Sequence, residues 1–427
     1  MKFIHTADIH LDSPLRGLSS YPDAPVERLR TATRDAFHNL VNSAIEERVD
    51  FMVIAGDVYD GDWKDFNTGL FFVRQMGRLR QAGIPVYLLY GNHDAESEMT
   101  RGLELPENVH VFSSRKSQTF RIEDKKVALH GRSFKVAATT ENLLPSYPEP
   151  VAGWLNIGVL HTALEGNSEH AKYAPCSIAE LLAKGYQYWA LGHVHEHWVQ
   201  RGDVTIAYPG NLQGRHIREL GVRGALLVTA EDGEIIEVDQ LEVDVLRWHS
   251  LEIDISTAAD LRSSVRMVGQ EMERLLEATT ADLPLAVRVV FKGKSSAHAE
   301  LVMDEGQLRQ EVIAQAVALD ADRIWVEKIR VASEALSTNH SSSDDEIQGA
   351  LAELESLALS AQEDPDFVRS LQADWQSVLE KLPHEVLQAA PDLSLLRQDP
   401  SAHVAERIRQ ATPVLMARVG QDARTPT

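Results

Sequence analysis

The chain has 427 residues, 44% of them hydrophobic, and none of its apolar runs approaches the ~20 residues that a membrane-spanning helix needs. It carries 42 basic against 64 acidic residues, a net charge of −22, which excludes a protein that coats nucleic acid by bulk charge but leaves room for local basic patches or bound cations. The single cysteine, Cys176, excludes an internal disulfide and a cysteine-built zinc cage. The length suggests two or three domains, and the opening MKFIHTADIH, with no signal-peptide core, sets the expectation of a cytoplasmic protein.

Residues 2–7, KFIHTA, predict a first strand that ends at Asp8-Ile9-His10. A loop rich in Pro, Ser, Gly and Asp follows over 11–25. Residues 26–47 predict a helix, with Leu29, Ala32, Ala36, Leu40, Val41, Ala44 and Ile45 on its apolar face. DFMVIAGD predicts a second strand at 50–55, with Gly56-Asp57 at its end, and 66–82 predicts another amphipathic helix, stopped by Gly83 and Pro85. In VYLLYGNHD, residues 86–94, a buried strand runs into Gly91, where the chain can turn sharply onto Asn92, His93 and Asp94.

Further strands are predicted at 126–130, 155–160, 188–191 and 204–208. They end respectively in His-Gly-Arg-Ser, in His161, in Gly192-His193-Val194-His195 and in Pro-Gly-Asn. A short helix at 177–184 is capped by Gly185, and 224–229 with 235–241 predicts a hairpin around Asp232-Gly233. Strands that first alternate with helices and later come as hairpins predict an α/β fold of two mixed β-sheets flanked by helices.

Near residue 246 the texture changes. Strands at 248–255, 285–292 and 323–331, with helices at about 259–278 and 305–319 between them, predict a small second α/β domain. The polar, low-complexity stretch 333–346, SEALSTNHSSSDDE, reads as a linker. Residues 347–427 are helical in pattern, broken at Pro365, Pro383, Pro391, Pro400 and Pro413, and 340–427 hold 15 acidic against 7 basic residues. Short amphipathic helices of this kind form either a self-packed bundle or a docking element for a partner. The expected domains are therefore 1–245, 246–332, the linker 333–346 and a helical region 347–427.

In open α/β sheets ligands sit beyond the carboxyl ends of strands. Asp8, His10, Asp57, Asn92, His161, His193 and His195 all fall just past such ends. These three oxygen and four imidazole donors suit manganese, iron or zinc better than magnesium or calcium. Seven donors are too many for one ion and right for two, and a carboxylate such as Asp57 can bridge a pair. Asp8/His10 and His193/His195, each spaced by one residue, form two pincers. A two-metal site serves phosphoester cleavage by an activated water. His93, left over, would stabilise developing charge or protonate the leaving oxygen.

The order ADIH, AGD, GNHD, LHT and LGHVH resembles the calcineurin-like metallophosphoesterase superfamily over residues 1 to about 240. Within it the chain is most similar to the bacterial DNA repair exonucleases of the SbcD type, and HTADIHLDSPL, HGRSF, YWALGHVHEH and YPGNLQGRH look like their YhaO-like branch. The resemblance implies a four-layer sandwich catalytic domain, a small capping domain and a helical C-terminal region. It implies one ion, usually Mn2+, held by Asp8, His10, Asp57 and His195, and a second held by Asp57, Asn92, His161 and His193. It gives His93 the place of the catalytic histidine. It also implies DNA as substrate, an SbcC-like coiled-coil ATPase as partner, and a homodimer. Asp60 stands where some relatives carry a second functional histidine; its spacing matches the Asp that orients the GNHD histidine in phosphatases of the superfamily.

Other residues keep two readings. Arg132 contacts phosphate or makes a structural ion pair; Arg215 and His216, with Arg218, grip nucleic-acid phosphates or belong to a solvated loop. His5, Trp189 and Trp198 read as core, and His197 as lying outside the ligand shell. The expected activity is a metal-dependent DNA nuclease. Its rivals are a phosphatase or a phosphodiesterase on cyclic nucleotides and other small diesters, and a non-catalytic scaffold subunit for an ATPase, which an intact ligand set disfavours.

Overall fold

The computed structural model describes residues 1–13, 26–60, 66–96, 103–164, 173–279, 281–336 and 342–379, with a few isolated positions between 408 and 419. Residues 1–249 with 283–286 form one compact unit; 250–282 with 287–427 form a second.

In chain order the first unit holds β1 (Lys2–Thr6), α1 (Val26–Glu46), β2 (Phe51–Ala55), α2 (Phe66–Gln81), β3 (Val86–Leu89), α3 (Asn92–Glu96), β4 (Val109–Val111), β5 (Gln118–Ile122) and β6 (Val127–Gly131). It continues with β7 (Leu155–His161), α4 (Ile178–Ala183), β8 (Tyr188–Gly192), β9 (Trp198–Gln200), β10 (Thr205–Tyr208), β11 (Gly224–Glu231) and β12 (Glu234–Glu242). Two six-stranded sheets result, ordered β12-β11-β1-β2-β3-β4 and β5-β6-β7-β8-β10-β9. Both are mixed: β1 to β4 run parallel, β11 is antiparallel to β1 and β12 antiparallel to β11, while β6, β7, β8 and β10 run parallel between antiparallel edges β5 and β9.

Strand periodicity builds the layers. Side chains alternate across a strand, so Ile4, Met52, Ile54, Val86 and Leu88 face one core with Phe37, Leu40 and Val41 of α1 and Phe72, Met76 and Leu79 of α2. Their neighbours Phe3, Phe51, Val53, Tyr87 and Leu89 face the second sheet, packing with Leu129, Ile157, Val159 and Tyr188. The outer side of that sheet is sealed by a third cluster around Trp189, Tyr186, Tyr147 and Leu181. Strands buried on both faces are apolar throughout, which is why FMVIA and VYLL show no polar alternation. The parallel directions bring the carboxyl ends of β1, β2 and β3 to one edge of their sheet, and those of β7 and β8 to one edge of theirs. Gly192 lets the two edges close: a Cβ there would run into the Ala55 carbonyl at the end of β2.

The second unit contains a three-stranded sheet, β13 (Arg247–Asp254), β14 (Leu285–Lys292) and β16 (Ile324–Val331), in the order β13-β14-β16, with α5 (Leu261–Ala278) and α7 (Glu305–Asp320). Asp260 caps α5 in a reciprocal box with Ser263, and Leu261, Val265, Val268 and Met272 are its buried face. A short parallel pair joins β15 (Lys294–Ser295) to β17 (Glu334–Ala335), and α6 (His298–Met303) precedes α7. Two more helices follow, α8 (Ser342–Ser360) and α9 (Pro365–Leu379).

The structure departs from the sequence reading in a few places. β4, β5 and β9 are edge strands of three to five residues with half-exposed, mixed side chains, so they carry no period-two signal. Asn92–Glu96 is one turn of helix, not a plain turn. The stretch 333–346 is not wholly a linker. Glu334–Ala335 pairs with β15, and α8 starts at Ser342 although the composition there resembles a loop. Pro365 opens α9, a position where proline's missing N–H costs nothing. The segment 14–25 and the breaks at Pro383, Pro391, Pro400 and Pro413 lie outside the described residues.

Candidate metal centre

Four of the seven predicted donors, Asp8, His10, Asp57 and His193, have φ between +44° and +95°. Non-glycine residues rarely adopt this region, at a cost on the order of 1–3 kcal/mol each, and such strain gathers at functional sites. Backbone pairing holds it in place. Asp8 N donates to Gly56 O at 3.0 Å, His10 N to Asp57 O at 3.1 Å and Leu11 N to Val58 O at 2.9 Å, lacing the loop after β1 to the loop after β2. His193 N donates to both oxygens of Asp8, at 3.2 and 2.9 Å, which ties the end of β8 to the same point. Gly91 is needed for closeness: a Cβ there would strike Asp57 Oδ1 and the His161 ring.

Three groups of donors converge, each within 4.8 Å: Asp8, His10 and His195; Asp57, His161 and His193; and His10, Asp60 and His93. In the first, His195 Nδ1 donates to Glu219 Oε1 at 2.8 Å, which leaves the lone pair on Nε2. That Nε2 lies 3.2 Å from His10 Nε2 and 3.9 Å from Asp8 Oδ1. Burial, then the nearby Arg215 charge, lower the His10 pKa to about 3, so its ring is neutral. Its Nδ1 faces Asp60 Oδ1 at 3.4 Å, which favours the proton on that side. Two imidazole lone pairs then face each other beside a buried carboxylate, an arrangement that a cation stabilises.

In the second group, His161 Nδ1 donates to Ala55 O at 2.9 Å, and Nε2 faces Asn92 Oδ1 at 3.0 Å and Asp57 Oδ2 at 3.3 Å. Burial alone would lower its pKa, but the Asp57 charge and hydrogen bond more than offset that and raise it to about 9. The metal-free ring is therefore protonated between two oxygens, and a divalent ion binding there displaces that proton. Asp57 resists protonation in spite of its burial, held well below the usual carboxylate range by His161 first and by His10 and His93 after it. The residues present thus fit two cations, with Asp57 in the second group and its charge felt by Asp8 and His10 of the first.

His93 sits next to this pair. Its backbone N donates to Asp57 Oδ1 at 3.0 Å, while its ring stands edge-on to His10, 5.1 Å away, and its side chain keeps 38% exposure. Asp60 Oδ1 is 3.8 Å from His93 Nδ1, an ion-pair separation and too long for a good hydrogen bond; Asp60 Oδ2 accepts from Ser13 Oγ at 2.8 Å.

Two supporting carboxylates carried no role in the sequence reading. Asp94, fully buried, accepts from Val58 N, Tyr59 N and Gly91 N and so clamps the two strand-end loops together. It is the last letter of GNHD, and these three contacts are to backbone amides, so residue type alone gave no hint. Glu219 accepts from His195 Nδ1, Arg215 and Asn211 Nδ2, and stays ionised although it is buried because His195 and Arg215 adjoin it. The Pro-Gly-Asn turn exists partly to supply Asn211 to it.

Arg215 reaches Glu219, Ser13 and Asp60, and His216 Nε2 is 3.8 Å from Glu219 Oε1. Arg132 pairs with Glu141 at 3.5 Å. The neighbours of Arg132 form the wall behind His161: Ser133 Oγ accepts from Tyr90 N, and the Phe134 ring packs edge-on against the His161 imidazole. His5 is a core residue between Tyr188 and the Leu191 carbonyl, His130 bonds to Thr119 and Asn156, and Trp189 is buried. Trp198 differs from expectation: on edge strand β9 it is exposed.

Comparison with known proteins matches residues 1–197 to the calcineurin-like phosphoesterase family and residues 248–334 to the middle domain of metallophosphoesterase YhaO. The uncharacterized metallophosphoesterase YhaO of Bacillus subtilis is 35% identical over 297 residues, covering 69% of this chain and 72% of its own. The chain belongs to the calcineurin-like metallophosphoesterases, in the YhaO family. Metallophosphoesterases of this kind are metal-dependent and use a dinuclear site, which agrees with the converging donors. A second relative of the YhaO-family chain is the DNA double-strand break repair protein Mre11 of Methanopyrus kandleri, 26% identical over 363 residues, 77% of this chain and 70% of its own. Among the described residues, no helix is long and apolar enough to cross a membrane.

Proposed function

We propose that this metallophosphoesterase is a DNA nuclease that hydrolyses phosphodiesters with two divalent ions, Mn2+ by preference. The observation that carries the reading is the pair of donor groups, Asp8/His10/His195 and Asp57/His161/His193, with His93 held alongside by its backbone bond to Asp57. In this reading Asp8, His10, Asp57 and His195 hold one ion, and Asp57, Asn92, His161 and His193 the other. The mixed nitrogen and oxygen set favours manganese over magnesium. When bound, the ions supply the charge that activates water and neutralises phosphate oxygens. The chain does the rest. Glu219 fixes the His195 tautomer, Asn92 adds a ligand without charge, and His93 delivers a proton to the departing oxygen.

Similarity to a protein named for DNA double-strand break repair, over most of both chains, supports DNA as the substrate over a small ester. The chain is further proposed to act as a homodimer and as the nuclease subunit beside a coiled-coil ATPase of the SbcC type. Arg132 and His216 are proposed as DNA phosphate contacts at the rim of the site.

The test is a substrate panel with Mn2+: labelled single- and double-stranded DNA, bis(p-nitrophenyl) phosphate and p-nitrophenyl phosphate. Metal-dependent DNA cleavage is expected. Hydrolysis of the monoester with DNA untouched would favour a phosphatase, and inertness on all four, with an ATPase co-purifying, a scaffold.

A further inference from the structure

The geometry points to Arg215 as a positioning residue that spans Asp60 and Glu219 and so holds His93 and His195 in register with one another. Its NH2 donates to Glu219 Oε1 at 3.1 Å, and its own backbone N donates to Glu219 Oε2 at 2.7 Å. Its NH1 lies 3.3 Å from Ser13 Oγ and 3.9 Å from Asp60 Oδ1. The side chain is 12% exposed. The same NH2 lies 3.2 Å from His195 Nδ1, so guanidinium, Glu219 and that imidazole meet at one point, while beyond Asp60 stand His10 and His93. The guanidinium is thus the cationic link between two anions, one bonded to His195 and the other 3.4 Å from His10 and 3.8 Å from His93.

Charge accounting explains the need for it. Asp8, Asp57, Asp60 and Glu219 put four carboxylates within this small volume, most of them buried. Arg215 lies against two of them, Glu219 and Asp60, and its positive charge offsets part of theirs. A planar guanidinium reaches two acceptors at once, whereas an ammonium is a point charge.

The inference rests on the roles given above to His93 and His195, and differs from a direct grip on substrate phosphate. A grip would show in KM; positioning shows in kcat. Arg215→Met is expected to lower kcat on bis(p-nitrophenyl) phosphate by about 10- to 100-fold, the range for residues that support metal ligands, with KM changed by less than about threefold. Arg215→Lys is expected to restore less than half of that loss on a logarithmic scale, because charge returns without the span. The double variant Asp60→Asn/Arg215→Met should be no slower than the worse single variant by more than about threefold, as for coupled neighbours.

In the metal-free protein, imidazole 15N spectra of Arg215→Met are expected to show the His195 tautomer released from its single form. If Arg215→Met does not fold, Glu219→Gln removes the same link from its other end, keeps the volume, and is expected to give the same kcat-only loss and tautomer change. A rise in KM at constant kcat, full rescue by lysine, additive losses or an unchanged His195 spectrum overturns the inference. Wild-type turnover and the His93→Ala variant, run alongside, report separately on whether the underlying reading holds.

Discussion

Asp57→Asn is expected to reduce the bound metal from two ions per chain to one or fewer and to cut phosphodiester hydrolysis on the order of 10³-fold, the upper end for a lost electrostatic stabiliser. Asparagine keeps the shape and can still accept the His93 amide hydrogen at Oδ1. What it loses is the charge opposite His161 and the second anionic oxygen with which one residue would serve both ions. The metal-free fold also loses a stabilising charge: Asp57, held well below the usual carboxylate range by His161, pairs with that ring, and this outweighs the relief to Asp94, whose pKa is raised to about 7 by burial first and by the Asp57 charge second. Metal-free Asp57→Asn is therefore expected to melt below metal-free wild type. Two ions retained, with activity within tenfold of wild type, would remove Asp57 from the centre.

His93→Ala is expected to keep both ions and lose turnover by ~10²–10⁴, the range for acid–base catalysis. The separation of effects follows from which atoms do what. The contact to Asp57 is made by the His93 backbone N, which alanine retains, while the ring stands half-exposed beside His10 and contributes no indispensable ligand. The loss should depend on the leaving group. A nitrophenolate departs without a proton and a sugar alkoxide does not, so DNA cleavage is expected to suffer more than hydrolysis of bis(p-nitrophenyl) phosphate. Equal losses on both substrates would assign the ring to charge stabilisation, and an unchanged kcat on DNA would remove it from the mechanism.

Much of this was legible because strands buried on both faces and glycine-terminated turns leave strong local signals. FMVIAGD and VYLLYGNHD each announce a core strand and the polar turn beyond it, and the parallel pairing of β1, β2 and β3 then carries those turns to one edge. His161 and the GHVH motif were readable in the same way from β7 and β8. The edge strands were not, since three half-exposed residues such as Val109–Val111 satisfy no pattern until a neighbour pairs with them. Nor were Glu219 and Asp94, whose work consists of hydrogen bonds to groups distant in sequence or to backbone amides, neither of which has a spacing rule. Arg215 was noticed for its charge, but its neighbours are carboxylates, a fact that only the folded loop supplies.

Anomalous diffraction from Mn2+-soaked crystals, recorded at the manganese edge, reaches the centre of the account most directly. Two peaks roughly 3.5–4 Å apart are expected, one among Asp8, His10 and His195, the other among Asn92, His161 and His193, with the Asp57 carboxylate between them. A single peak at full loading, or peaks only on surface carboxylates with His161 still bonded to Asn92 and Asp57, would contradict it.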